Sequence, residues 1–104
     1  MWNNPDWHNN AKNVVRGENI WEVNGYSYRA VVELWMTWIT LTIYHKLGQA
    51  WVCEGTVHFT GTPPHSFKLA RAFFTGNENL RAAYLKMRSA AKERYPEFFK
   101  GDKS

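Results

Sequence analysis

The chain has 104 residues, of which 44% are hydrophobic and 16% aromatic, and its 13 Lys and Arg against 9 Asp and Glu give a net charge of +4. This length suits one domain with a modest core, and the hydrophobic content argues against a disordered chain. The positive charge permits an anionic partner without requiring one. The single Cys53 excludes an internal disulfide framework, and neither a secretory leader nor a membrane-spanning run is visible. We therefore expect a cytoplasmic protein with no membrane contact.

The first residues predict a polar N-terminal arm. They are rich in Asn and contain Pro5, which argues against a regular element. Trp2 and Trp7 are unusual in such a segment, and indoles packed in a groove on the domain are favoured over indoles that contact a partner. The predicted organisation is an arm at 1–17, a single α+β domain at 18–99 and a C-terminal tail at 100–104.

The segment 26–46 is interpreted as the spine of a β-sheet. It lacks Gly and Pro and is rich in β-branched and aromatic residues, which suit a half-buried strand. Apolar residues occupy even positions up to Met36 and odd positions from Ile39 onward. Side chains of a strand alternate between faces, so this change requires an extra residue or a turn. No turn-forming residue occurs between Trp35 and Trp38, which favours a β-bulge in one long strand.

A hairpin is predicted on each side of this spine. Asn24-Gly25 is the typical type I′ turn, which pairs an earlier strand at 19–23 with the start of the spine. The register centred on that turn places Val23 opposite Tyr26 and Trp21 opposite Tyr28.

The second hairpin turns at 46–49 and returns along 50–59. Its preferred register pairs Ile43 with Cys53 and Ile39 with Val57, because this keeps apolar residues on one face. Cys53 is then an inert core residue rather than a nucleophile.

The remainder of the chain predicts one more strand and one helix. The segment 66–74 alternates like a strand but also contains good helix formers, and we favour the strand. The reason is that Thr75 with Glu78 fits a capping box, which leaves little room after a preceding helix. The helix at 77–94 has apolar residues at helical spacing and ends before Pro96. The predicted fold class is α+β: an antiparallel sheet of four to five strands, with a long bulged central strand and two hairpins, packed on one C-terminal helix.

A search for catalytic chemistry finds no strong pattern. The His and Cys residues lack the spacing of a zinc site, and there is no phosphate loop or nucleophile motif. Glu54 and His58, on one strand face, support only a third hypothesis, a small hydrolase or nuclease. We expect no enzymatic activity, metal or cofactor.

The sheet face that the helix leaves open is the better candidate site. Aromatic, Thr and basic side chains are the materials on which single-stranded nucleic acid stacks, and basic residues of the helix extend this path. The predicted binding residues are Trp38, Thr40, Thr42, Tyr44, His58, Lys68, Arg81, Arg88 and Lys92.

The sequence therefore favours a small non-catalytic protein that binds nucleic acid, preferably single-stranded. The order of four strands and a helix resembles, in topology alone, several small folds that bind single-stranded DNA. The alternative is a phage or mobile-element protein that inhibits or adapts a host protein complex, since exposed aromatic residues also suit protein interfaces. A homodimer through the open sheet face is a further hypothesis.

Overall fold

The computed structural model describes residues 14–35, 38–61 and 65–99. Most of the predicted arm, with Trp2 and Trp7, and the tail at 100–104 lie outside these residues. Within them, the first strand begins at Val15, so part of the predicted arm belongs to the sheet. The elements follow the chain as β1 (Val15–Val23), β2 (Tyr26–Leu34), β3 (Trp38–Leu47), β4 (Ala50–Thr60), α1 (His65–Phe74), α2 (Glu78–Arg94) and a 3₁₀ helix (Pro96–Phe99).

The strands form one antiparallel sheet of four strands in sequence order. Helix α2 packs on β1 and β2, whereas α1 packs on β3 and β4. Both helices share one core with the sheet, so they cover the same sheet face. The predicted α+β class, an antiparallel sheet packed on a C-terminal helix, is confirmed.

The prediction of one long, bulged central strand is wrong. Strand β2 ends at Leu34, β3 begins at Trp38, and the two strands pair antiparallel with Leu34 opposite Ile39. The N–H of Trp35 donates to the carbonyl of Trp38 at 2.8 Å across the reversal. The change in apolar phase therefore marks a reversal of the chain between two strands rather than a bulge within one strand.

The first hairpin is confirmed. Asn24 and Gly25 have φ angles of 51° and 85°, as a type I′ turn requires. Val23 lies opposite Tyr26, and Trp21 stacks on Tyr28 with ring centroids 5.8 Å apart.

The predicted register of the second hairpin is wrong by two residues. Ile39 lies opposite Phe59 rather than Val57, and Ile43 lies opposite Gly55. The faces are unchanged over this part of β4, because a shift of two residues preserves the alternation of side chains.

A β-bulge at Glu54 changes the face of the first part of β4. Ile43 pairs with Gly55 but Tyr44 pairs with Cys53, which leaves Glu54 as the extra residue. Beyond it Trp51 and Cys53 share a face with Tyr44, and Cys53 is exposed rather than part of the core.

The strand predicted at 66–74 is wrong, because this segment forms α1. Its buried residues include Phe67, Ala70 and Phe74, which share one face at helical spacing. The helix ends where the hydroxyl of Thr75 donates to the carbonyl of Arg71 at 2.9 Å.

Helix α2 begins with an Asn77 cap rather than the predicted Thr75 cap. The side-chain oxygen of Asn77 accepts from the N–H groups of Asn79 at 3.0 Å and Leu80 at 3.1 Å.

Because these donors have no partner within the helix, we expect Asn77→Ala to lower the free energy of unfolding by about 1 kcal/mol. Urea denaturation measures the loss, and Asn77→Ser should retain most of the stability. Equal values for the Ala and Ser variants would contradict the capping role.

Ala83, Tyr84, Met87 and Ala91 of α2 are buried in the core that the helices share with the sheet, whereas Ala90 is exposed. The largest fully buried side chains come from the sheet and both helices: Phe74, Ile39, Leu41, Met87 and Val32. The helix approaches β1 closely at Gly17. A Cβ atom there would lie 2.2 Å from the Met87 nitrogen and 2.5 Å from the Ala83 carbonyl oxygen.

Candidate nucleic-acid interface

The open face is the surface of the sheet opposite α1 and α2. Alternation along each strand and the cross-strand pairs place every second residue there, with the phase of β4 changing at the bulge. The open face comprises Arg16, Glu18, Ile20 and Glu22 of β1; Ser27, Arg29, Val31 and Glu33 of β2; Trp38, Thr40, Thr42, Tyr44 and Lys46 of β3; and Trp51, Cys53, Thr56, His58 and Thr60 of β4.

The residues that the sequence selected from the sheet lie on this face. Trp38, Thr42 and Tyr44 are half-buried, and His58 is exposed. Thr40 is only 7% exposed, so it offers little surface to a ligand.

The residues selected from the C-terminal part of the chain lie elsewhere. Lys68 is exposed on α1, and Lys92 is exposed on α2. Arg81 and Arg88 line a cleft between the two helices. All four belong to the layer that packs on the opposite side of the sheet, so they do not extend the open face.

Two cation–aromatic pairs lie side by side on the open face. The Arg29 guanidinium carbon is 5.5 Å from the Tyr44 ring centroid, and the Lys46 ammonium nitrogen is 5.8 Å from a ring centroid of Trp51. Each pair joins residues directly opposite each other on neighbouring strands. We call these four residues the cation–aromatic cluster.

The sequence does not assign Trp51 to the open face, because a register without a bulge places it on the core face with the other apolar residues of β4. Gly55 is the signal that could have indicated the bulge, since a Gly inside a strand pattern often marks one.

The charges divide the open face into two halves. On β1 and β2, the cations Arg16 and Arg29 each form an ion pair, with Glu33 and with Glu18, and the Arg29–Glu18 distance is 3.0 Å. On β3 and β4, the described residues of the open face include Lys46 and no carboxylate. The β3–β4 half is therefore the part of this face that attracts an anion.

The hypothetical Glu54–His58 pair is replaced by a different contact. The bulge turns the carboxylate of Glu54 towards Nδ1 of His45. His45 lies opposite Tyr28 and Val52, in the alternation phase of the helix-covered face. Glu54 therefore contacts His45 rather than orienting His58.

The chain matches no protein-family model, no curated protein and no solved structure. Among the described residues, no group of three or more His, Cys, Asp or Glu side chains is placed to hold a metal ion. No helix in the described ranges combines the length and apolar character needed to cross a membrane.

Proposed function

We propose that the protein binds single-stranded nucleic acid on the open face through the cation–aromatic cluster, in which Tyr44, Lys46 and Trp51 come from the β3–β4 half and Arg29 from the neighbouring strand β2. The observation that carries this proposal is the pairing of Tyr44 and Trp51 with two adjacent cations on the sheet face that neither α1 nor α2 covers. Bases stack on aromatic rings, and cations attract the phosphates between the bases. The cluster supplies both kinds of contact within a few ångströms of each other.

The geometry favours a single strand over a duplex. Stacking on a protein ring requires an unstacked base, which a loop or a single strand supplies and a duplex does not. Each ring already contacts a cation from the strand beside it, which reduces the ordering needed on binding. The hydroxyls of Thr42 and Thr56 lie 3.4 Å apart beside the cluster and offer hydrogen bonds to base edges or phosphates.

A titration with a short single-stranded oligonucleotide at two salt concentrations tests the proposal. We expect quenching of tryptophan fluorescence and an association constant that falls about sevenfold between 50 and 200 mM salt, the effect of roughly two neutralised phosphates on a single strand. A duplex of the same sequence is the control and should bind more weakly. Salt-independent quenching, or no binding at low salt, would contradict the proposal.

The edge of the sheet gives a specific reason to retain a protein partner as the second candidate. Strand β4 has no strand beyond it within the described residues, and from Gly55 to Thr60, past the bulge at Glu54, it contains no Asp, Glu, Lys, Arg or Pro to protect that edge. Val57 is 38% exposed, and Leu69 and Phe73 of α1 are 42% and 48% exposed. Phe73 packs on Phe59 of β4, so an apolar helix surface adjoins this part of the edge.

This edge is a surface to which a host protein complex or a second copy of the chain can add a strand. It differs from the open sheet face first considered for a homodimer. If the oligonucleotide titration shows no binding, the β4 edge becomes the better candidate, and the inhibitor or adaptor hypothesis follows from it.

A further inference from the structure

The carboxylates on the described part of the open face all lie on its β1–β2 half. They are Glu18 and Glu22 of β1 and Glu33 of β2. Glu54, on β4, lies at the bulge and contacts His45 instead. The β1–β2 half also contains two arginines, which against three carboxylates leave it with a net charge of −1. An anion that extends from β3 and β4 onto this half therefore meets a surface that repels it.

Two of these carboxylates are engaged with the arginines of the same half. Glu18 accepts a hydrogen bond from Arg29 at 3.0 Å, and Glu33 accepts one from Nε of Arg16 at 2.9 Å. Glu22 is exposed and forms no ion pair within the described ranges. Each ion pair offsets the charge of its arginine, so Glu22 supplies the uncompensated negative charge of the β1–β2 half.

Glu22 lies far from the rings on which the bases of a single strand would stack. Neighbouring strands are about 4.8 Å apart, so β1 is about 10 Å from β3 and about 14 Å from β4. The screening length at physiological ionic strength is about 8 Å, which is shorter than both distances. The charge of Glu22 therefore has little effect on a single strand that lies on Tyr44 and Trp51.

A duplex brings a second row of phosphates to the same surface. The two rows face each other across a major groove about 12 Å wide and a minor groove about 6 Å wide. Both widths exceed the roughly 4.8 Å between β3 and β4, so the two rows do not fit together on the β3–β4 half. When one row lies on that half, the other extends towards β2 and β1, where the carboxylates lie.

We propose that Glu22, supported by Glu18 and Glu33, is the specificity-determining residue that makes the open face select a single strand over a duplex. The carboxylates act by repelling the second row of phosphates, and they do not contact the single strand that binds. Specificity of this kind comes from a penalty on the wrong ligand rather than from an added attraction for the right one. The role of Glu22 rests on the function proposed for the open face, and it assigns the residue that determines the ligand class.

The test is fluorescence anisotropy of the full chain with a labelled oligonucleotide, used as a single strand and annealed to its complement. We expect Glu22→Gln to raise the affinity for the duplex about fivefold, the factor for removing the repulsion of two like charges about 4 Å apart in water. The affinity for the single strand should change by less than about twofold, because screening separates it from Glu22. Glu22→Lys should raise the duplex affinity further, since it replaces repulsion with attraction.

Glu93→Gln is the matched control. Glu93 is exposed on α2, on the other side of the sheet, so the variant makes the same change in net charge away from the open face and should alter neither affinity. Equal duplex affinities in Glu22→Gln and Glu93→Gln would overturn the role of Glu22. An equal rise for the duplex and the single strand in Glu22→Gln would overturn it as well. In both cases binding of the single strand would still support the function of the open face, whereas no binding of either ligand would overturn both proposals.

Discussion

Replacing Gly17 with alanine is expected to lower the free energy of unfolding by about 3 kcal/mol or more, the upper range of overpacking costs. The added Cβ would meet backbone atoms of Met87 at 2.2 Å and of Ala83 at 2.5 Å. Neither clash is relieved by rotating a side chain, so α2 as a whole must move away from β1. A loss of this size is a large part of the roughly 5–15 kcal/mol that stabilises a typical domain.

Thermal denaturation followed by circular dichroism measures this effect, and we expect the midpoint to fall by more than about 10 °C. Gly55→Ala is the matched control, because no heavy atom lies within 4 Å of a Cβ at that position. It should change stability by no more than about 0.5 kcal/mol, as is usual for surface substitutions. A Gly17→Ala midpoint equal to that of Gly55→Ala would show that α2 does not pack on β1 as described.

The close approach at Gly17 also explains why α2 is the helix that the sequence predicts best. Its buried face combines the small Ala83 and Ala91 with Met87, at regular helical spacing. Small residues allow the helix backbone to approach the strand, and their periodicity is visible without knowledge of the partner. Local pattern and tertiary packing agree in this element, so the sequence suffices to find it.

The segments that the sequence argument misassigned are those in which tertiary packing overrides the local pattern. In α1, Phe67 and Phe73 alternate like residues of a strand, but Phe67, Ala70 and Phe74 are the buried face. Helix α1 carries more apolar residues than one helix face can bury, so Leu69 and Phe73 remain exposed. The alternation was therefore a coincidence of composition rather than a signal of a strand.

Two irregularities in the sheet decided which residues share the candidate site. The reversal between Leu34 and Trp38 contains no Gly, Pro, Asn or Asp, so turn chemistry gives no sign of it. The bulge at Glu54 moves Trp51 to the open face and directs the carboxylate of Glu54 to His45. Sequence alternation could place Tyr44 on the open face, but it could not place Trp51, because alternation assumes a regular strand and the bulge beside Gly55 changes its phase.

Tyr44→Ala and Trp51→Ala are each expected to weaken the binding of a single-stranded oligonucleotide about 5- to 150-fold, since one stacked base contributes roughly 1–3 kcal/mol. The rings of Tyr44 and Trp51 lie on the adjacent β-strands β3 and β4 of the open face. Consecutive bases of one oligonucleotide can therefore stack on both rings. Losing one ring should therefore leave weaker binding, and losing both should reduce it to the electrostatic contribution of Lys46 and its neighbours. Fluorescence anisotropy of a labelled oligonucleotide measures the affinities without relying on the tryptophans.

Tyr26→Ala is the matched control for the aromatic variants. Tyr26 is 66% exposed at the first hairpin and lies in the alternation phase of the helix-covered face, so its removal should leave oligonucleotide affinity unchanged. Lys46→Ala should reduce both the affinity and the slope of its salt dependence, the latter by about 0.7 for one phosphate contact on a single strand. If Tyr26→Ala and Tyr44→Ala lose affinity equally, binding is a property of exposed aromatic residues in general and not of the cation–aromatic cluster. If only Lys46→Ala has an effect, the strand is held by charge alone and the rings do not stack on bases.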